Sequence, residues 1–209
     1  MILIILILNG VDNYKMDLKD YINYSGGAKG SDTMWQTIGS EFGLGLQVNY
    51  RPEDLQKLND EEFEECEKAY LSCIKILKRP FMVAHEYVGK LLRRDYMQVR
   101  SAKAVFAIGL IIENKQPDSR GYINKSGKQI VSGGTGYAVE MGIQMNKPVY
   151  VFDQIKNQWF KWNGLIFEMC EVPVLTKKYA GIGTREINSN GLKAIKEIYQ
   201  KTCYENRKN

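Results

Sequence analysis

The stretch Gln129–Asp153, QIVSGGTGYAVEMGIQMNKPVYVFD, decides the fold class. A short apolar run leads into the turn Ser132-Gly133-Gly134-Thr135-Gly136, and a helical pattern follows from Tyr137 to Met145. A second apolar run, Val149-Tyr150-Val151-Phe152, ends at Asp153. Strand, glycine turn, helix, strand is the crossover that two parallel strands require. Glycines at such a turn let backbone N–H groups approach an anion at the positive end of the helix. Glu140, about one turn into the helix, is expected to face the same ligand, where a carboxylate suits a sugar hydroxyl or a proton rather than a phosphate. An ordinary tight turn with Glu140 on a solvated face accounts for the same residues, because one glycine-rich turn is weakly diagnostic.

The same context recurs on both sides. Upstream, YINYSGGAKGSD (Tyr21–Asp32) reads as a strand and a glycine turn, with Ser31 or Asp32 as N-cap of a helix over Thr33–Phe42. Downstream, KYAGIGTRE (Lys178–Glu186) reads as a short strand and a third glycine turn, before a helix from about Asn190 to Tyr204 and a frayed end from Glu205. Three such turns imply that several strand ends converge on one anionic ligand, which in open α/β sheets lies at the carboxyl ends of the strands. The strand before Gly181 is therefore expected inside the sheet, beside the strand before Gly26. None of the turns spells a dinucleotide fingerprint or a P-loop.

The intervening chain fits this scheme. Leu46–Tyr50 reads as a strand, Asp60–Leu77 and Val83–Arg100 as helices, and Ala104–Ile108 as a strand buried on both faces. Ile112–Lys128 is polar and reads as a β-hairpin insertion reaching over the strand ends. Gln158–Val174, with Trp159, Trp162 and Phe167, reads as an aromatic cover packed on the sheet.

With 209 residues the chain has room for one α/β domain with a full core. The net charge of +5 is carried without a dense Lys/Arg block, so an anionic small ligand explains it as well as nucleic acid does. The four cysteines lack CxxC spacing and His85 is the single histidine, which argues against a zinc site and against Ser/His/Asp chemistry. Cys66 and Cys73 fall on the apolar stripe of their helix and read as core residues. Met1–Leu8, MILIILIL, is too short to span a bilayer and lacks the flanks of a signal peptide. Residues 1–15 are read as an edge strand or as an extension upstream of a start at Met16, with the single domain over residues 16–209.

The motifs SGGAKGSD (Ser25–Asp32), RRDYMQVRSAKAVFAIG (Arg93–Gly109), SGGTGYAVEMG (Ser132–Gly142) and YAGIGTRE (Tyr179–Glu186) resemble the SLOG superfamily. That group contains the DprA/Smf, YpsA and LOG phosphoribohydrolase proteins and shares a Rossmann-like nucleotide-binding fold. The resemblance covers nearly all of Tyr21–Tyr204 and implies an α/β, Rossmann-like three-layer sandwich with a mainly parallel sheet. An AGIGSR-type strand usually opens such a domain. Here it comes last, as in a circularly permuted, YpsA-like member of phage type.

The implied ligand-binding residues are Ser25, Gly26, Gly27, Lys29 and Asp32 of the first turn, with Arg94 and Gly109. Ser132, Gly133, Gly134, Thr135, Gly136 and Glu140 belong to the second, and Gly181, Gly183, Thr184 and Arg185 to the third. No cofactor and no metal is implied. Against the LOG motif PGGxGTxxE, Gly133, Gly134, Gly136 and Glu140 match, while Ser132 and Tyr137 replace the proline and the threonine. Two functions follow from the resemblance. One is a binder that sequesters a nucleotide-derived ligand, such as an ADP-ribose derivative, as an anti-defence protein would. The other is an N-glycosidase on nucleoside monophosphates, with Glu140 activating water and Arg94 holding phosphate. DNA binding by analogy with DprA is disfavoured, since +5 comes without a basic stripe. A homo-oligomer in the cytoplasm, the host's if phage-encoded, with no membrane partner, completes the expectation.

Overall fold

The structure, a computed structural model, describes residues 18–79, 86–118 and 120–208. The expectations for residues 1–15, Met16, His85 and the first turn of the Val83 helix lie outside them. In chain order the elements are β1 (Ile22–Ser25), α1 (Ser31–Glu41), β2 (Leu46–Asn49), α2 (Asp60–Leu77), α3 (Glu86–Ser101) and β3 (Ala104–Gly109). They continue with β4 (Ile111–Ile112), β5 (Ile130–Val131), α4 (Thr135–Gln144), β6 (Val149–Asp153), β7 (Gln158–Trp162), β8 (Phe167–Cys170), β9 (Lys178–Gly183) and α5 (Ser189–Asn206).

Among the described residues the main sheet has seven strands in the order β2-β1-β9-β3-β6-β7-β8, parallel from β2 to β6 and antiparallel at β7 and β8. β3 shows why it sits at the centre: all six of its residues are buried. Val105 and Ala107 pack on one face with α2, α3 and α4, and Ala104, Phe106 and Ile108 on the other with α1 and α5. The period-two alternation of a strand thus feeds two cores, giving helix layers on both sides of the sheet. Cys66 and Cys73 are fully buried in the first core, and all four cysteines are free thiols.

β9 lies inside the sheet between β1 and β3, as its sequence context predicts. Counted from β9, the parallel strands β2-β1-β9-β3-β6 run 3-2-1-4-5, the first five strands of the doubly wound Rossmann order. The segment before β1 packs against the end of α5: the Tyr21 hydroxyl donates to the Asn206 side chain, 3.0 Å away.

Four local expectations are corrected. The run opening the Gln129 stretch is not a main-sheet strand. β5 has two residues and pairs antiparallel with β4, so the hairpin insertion (113–129) hangs between them and α4 links β3 to β6. Residues 158–170 do not cover the sheet but extend it, because QWFKW alternates and can pair edge-on while burying Trp159 against Phe152. α1 is capped by Gly30, because the Ser31 hydroxyl donates to the Thr184 carbonyl and the Asp32 carboxylate accepts from the Gly26 and Ala28 amides before the helix. Finally, α5 continues through Glu205 and Asn206, its amino end capped by the Asn188 side chain, which accepts from Gly191 N–H at 3.0 Å.

Candidate ligand-binding cleft

The strand order reverses between β9 and β3, and a cleft of about 370 Å³ opens there at their carboxyl ends. This lies within the usual small-ligand range of about 300–1,000 Å³. Gly109 ends β3 and Gly183 ends β9; both line the cleft, with Ser132, Gly133, Gly134 and Thr135 from the second turn, Thr184 and Arg185 from the third, and Asp32 beside the first. A wider hollow of about 710 Å³ between α2, α3 and the turn Pro52–Lys57 touches none of these glycine turns.

Asp32 ties two turns together. Its Oδ2 accepts from the Gly26 and Ala28 amides at 3.2 and 3.4 Å, and its Oδ1 from the Gly183 amide at 3.2 Å. Burial pushes its carboxyl above the ordinary value, against the pull of Arg94 and the three amides. The turns also meet directly, since Ser31 donates to the Thr184 carbonyl through its amide (2.9 Å) and its hydroxyl (2.8 Å). Asp32 thus positions the turns from beneath.

Arg94 forms the floor. Its Nη1 donates to the Gly26 carbonyl at 3.0 Å and its Nη2 to Asp95 Oδ1 at 3.1 Å, while its buried Nε has no partner among the described residues. A Cβ at Gly26 would overlap the Arg94 guanidinium, which would have to shift from this position. Asp95 and Gln98 share the floor, with Gln98 Nε2 donating to Asp95 Oδ1 at 3.2 Å. Burial lifts the Asp95 carboxyl to about 6, Asp32 adding to the rise and Arg94 opposing it.

The opposite wall is the amino end of α4. The amides of Gly136 and Tyr137 turn back to the Gly133 and Gly134 carbonyls, so those of Gly134 and Thr135 stand at the open, positive end of the helix. Gly133 adopts φ +66°, and its carbonyl accepts from buried Arg79 at 2.8 Å. Arg120, from the hairpin insertion, and Arg185 add exposed cations at the mouth.

Glu140 does not join them. It is 3% exposed, and both of its oxygens bind Lys128 Nζ, at 3.0 and 2.8 Å. Ala138 lines the cleft, and two residues further on a helix turns about 200°. Tyr137 likewise points into the core, its ring centroid 6.5 Å from that of Tyr70. Lys29 is exposed outside the cleft, and Gly27 (φ +62°) packs on Asn49. Ser25 is fully buried, and its hydroxyl has no partner among the described residues. Gly181 is buried in β9, donating to Asn23 Oδ1 at 2.8 Å, where a Cβ would press on Trp35. Gly136 sits under the helix, where a Cβ would overlap the Val131 carbonyl.

Sequence reasoning missed Asp95, Gln98, Arg79, Arg120 and Lys128. The one available signal was the RRDYMQ run itself: Gln98 stands four residues after Arg94 and three after Asp95, so it shares a helix face with each. Among the described residues no three His, Cys, Asp or Glu side chains converge as metal ligands. Comparison with protein-family models, with curated proteins and with solved structures found no match.

Proposed function

We propose that this protein binds and sequesters a nucleotide or nucleotide-derived ligand, such as an ADP-ribose derivative, in the cleft between β9 and β3. The observation that carries the reading is the convergence of all three glycine turns and the amino end of α4 on one hollow at the switch point of the sheet. Phosphate belongs at the Gly134 and Thr135 amides, with Arg185 and Arg120 at the mouth supplying charge. The strand order counted from β9 also supports reading the chain as a permuted relative of the SLOG proteins. Against an N-glycosidase stands Glu140, which is neutralised by Lys128 and turned from the cleft.

Calorimetric titration with AMP and ADP-ribose tests this. Saturable binding of at least one is expected. Arg185→Ala should weaken it roughly tenfold, as losing one charge-assisted hydrogen bond of about 1.5 kcal/mol implies. Glu140→Gln should leave affinity within about threefold, since that carboxylate does not reach the ligand. No binding of either nucleotide refutes the proposal. Chromatographic detection of free base, abolished by Glu140→Gln, would establish the N-glycosidase instead.

A further inference from the structure

The floor of the cleft has a chemistry opposite to that of its mouth. Asp95 is 7% exposed and Gln98 is 1% exposed, yet both line the cleft. Asp95 Oδ1 is fully used, accepting from Arg94 and Gln98. Its Oδ2 has no hydrogen bond among the described residues, nor is it sealed away as a buried orphan. The same is true of Gln98 Oε1, whose own amide is turned toward Asp95. Two neighbouring acceptors therefore face the ligand space. Both terminal nitrogens of Arg94 are spent on Gly26 and Asp95 Oδ1, and its Nε has no partner among the described residues.

Two adjacent acceptors in a largely buried site call for two adjacent donors, because a buried acceptor left unmatched is unfavourable. A phosphate has none to give at neutral pH and would be repelled by the carboxylate. A vicinal diol supplies two hydroxyl donors at the right separation for neighbouring side chains. The anion site at α4 lies across the same hollow of about 370 Å³, so one ligand can reach both poles. We propose that Asp95 and Gln98 read the 2′,3′-diol of a ribosyl phosphate, which makes the cleft selective for ribo- over deoxyribonucleotides. This rests on the nucleotide-binding reading above and specifies its ligand. Asp95, whose carboxyl titrates at about 6, is ionised and hence an acceptor at neutral pH.

The test compares AMP with 2′,3′-dideoxyadenosine 5′-monophosphate by calorimetry on the full chain. AMP should bind at least about tenfold more tightly, and more if both hydroxyls are matched. Asp95→Asn should reduce the ratio to less than about threefold. Gln98→Met, which keeps shape and removes the acceptor, should reduce it as well and serves where Asp95→Asn fails to fold. Equal affinity of the native protein for the two nucleotides overturns the diol assignment while leaving nucleotide binding intact. So does discrimination that survives both substitutions, an outcome expected if the donors came from the base. Failure of both nucleotides, and of ADP-ribose, to bind overturns this inference together with the function on which it rests.

Discussion

Replacing Gly30 with alanine tests whether the first and third glycine turns are locked together. Gly30 has φ +104° and ψ −132°, a backbone region that side-chain-bearing residues rarely enter, with a strain of about 1–3 kcal/mol. Its new Cβ would also lie 2.5 Å from the Arg185 Cα and carbonyl oxygen, a backbone overlap that no rotamer change relieves. Overpacking of this kind adds about 1–3 kcal/mol. Neither side can retreat easily. The Gly30 carbonyl accepts from Met34 N–H (3.1 Å) and Thr33 Oγ1 (2.8 Å), and the Ser31 amide is held by Thr184. The two effects sum to roughly 4 kcal/mol of destabilisation. Gly133→Ala is the control: φ is +66° but nothing lies within 4 Å of the added Cβ, so only the left-handed strain of about 1–2 kcal/mol applies. Urea unfolding of the native protein and both variants, compared at constant m value, reads the difference. Equal destabilisation by the two substitutions, or less than about 1 kcal/mol for Gly30→Ala, would show that the turns do not press on each other as described.

Two further outcomes follow from buried groups. The Asp95 carboxyl is raised to about 6, so the folded chain takes up its proton before the unfolded one does, and this contribution to stability is present at low pH and is lost as pH rises through about 6. Between about pH 7.5 and pH 5 the native protein should gain about 1 kcal/mol relative to Asp95→Asn in urea unfolding, and a difference independent of pH would refute the assignment. The Tyr199 hydroxyl donates to the Trp35 carbonyl at 2.9 Å and meets the Tyr179 hydroxyl at 2.5 Å, all buried. Tyr199→Phe strands both partners and should destabilise by about 2 kcal/mol, whereas a neutral effect in thermal melts would mean that the pair is satisfied some other way.

What the sequence revealed and what it concealed have physical causes. Ala104–Ile108 was legible because a strand buried on both faces has no polar position to blur it. The glycine turns were legible because close backbone approach leaves only one residue type. Glu140 was misdirected because motif spacing gives distance along a helix, while the face it presents depends on which partners pack around it. Lys128 lies 12 residues upstream in the hairpin insertion, and nothing in the local pattern announces the pair. Asp95 was concealed for a related reason: a carboxylate next to an arginine on a helix ordinarily reads as a solvated pair, and only the tertiary setting buries it. The edge strands β7 and β8 were overshadowed by their tryptophans, whose bulk suggested a cover before their alternation suggested a ladder.

The central place of β9 has a consequence for how the chain is assembled. β1 pairs with β2 and β9, and β3 with β6 and β9, so among the described strands β9 alone bridges the two halves of the sheet. It is also the last of the described strands in chain order. Until it pairs, a two-strand fragment and a four-strand fragment each show a bare edge, the kind that recruits strands from neighbouring chains. A nascent or truncated chain ending before Lys178 therefore has no cleft to fill and two edges to protect. Pairing of β9 with both neighbours joins the two halves of the sheet and brings together the walls of the cleft.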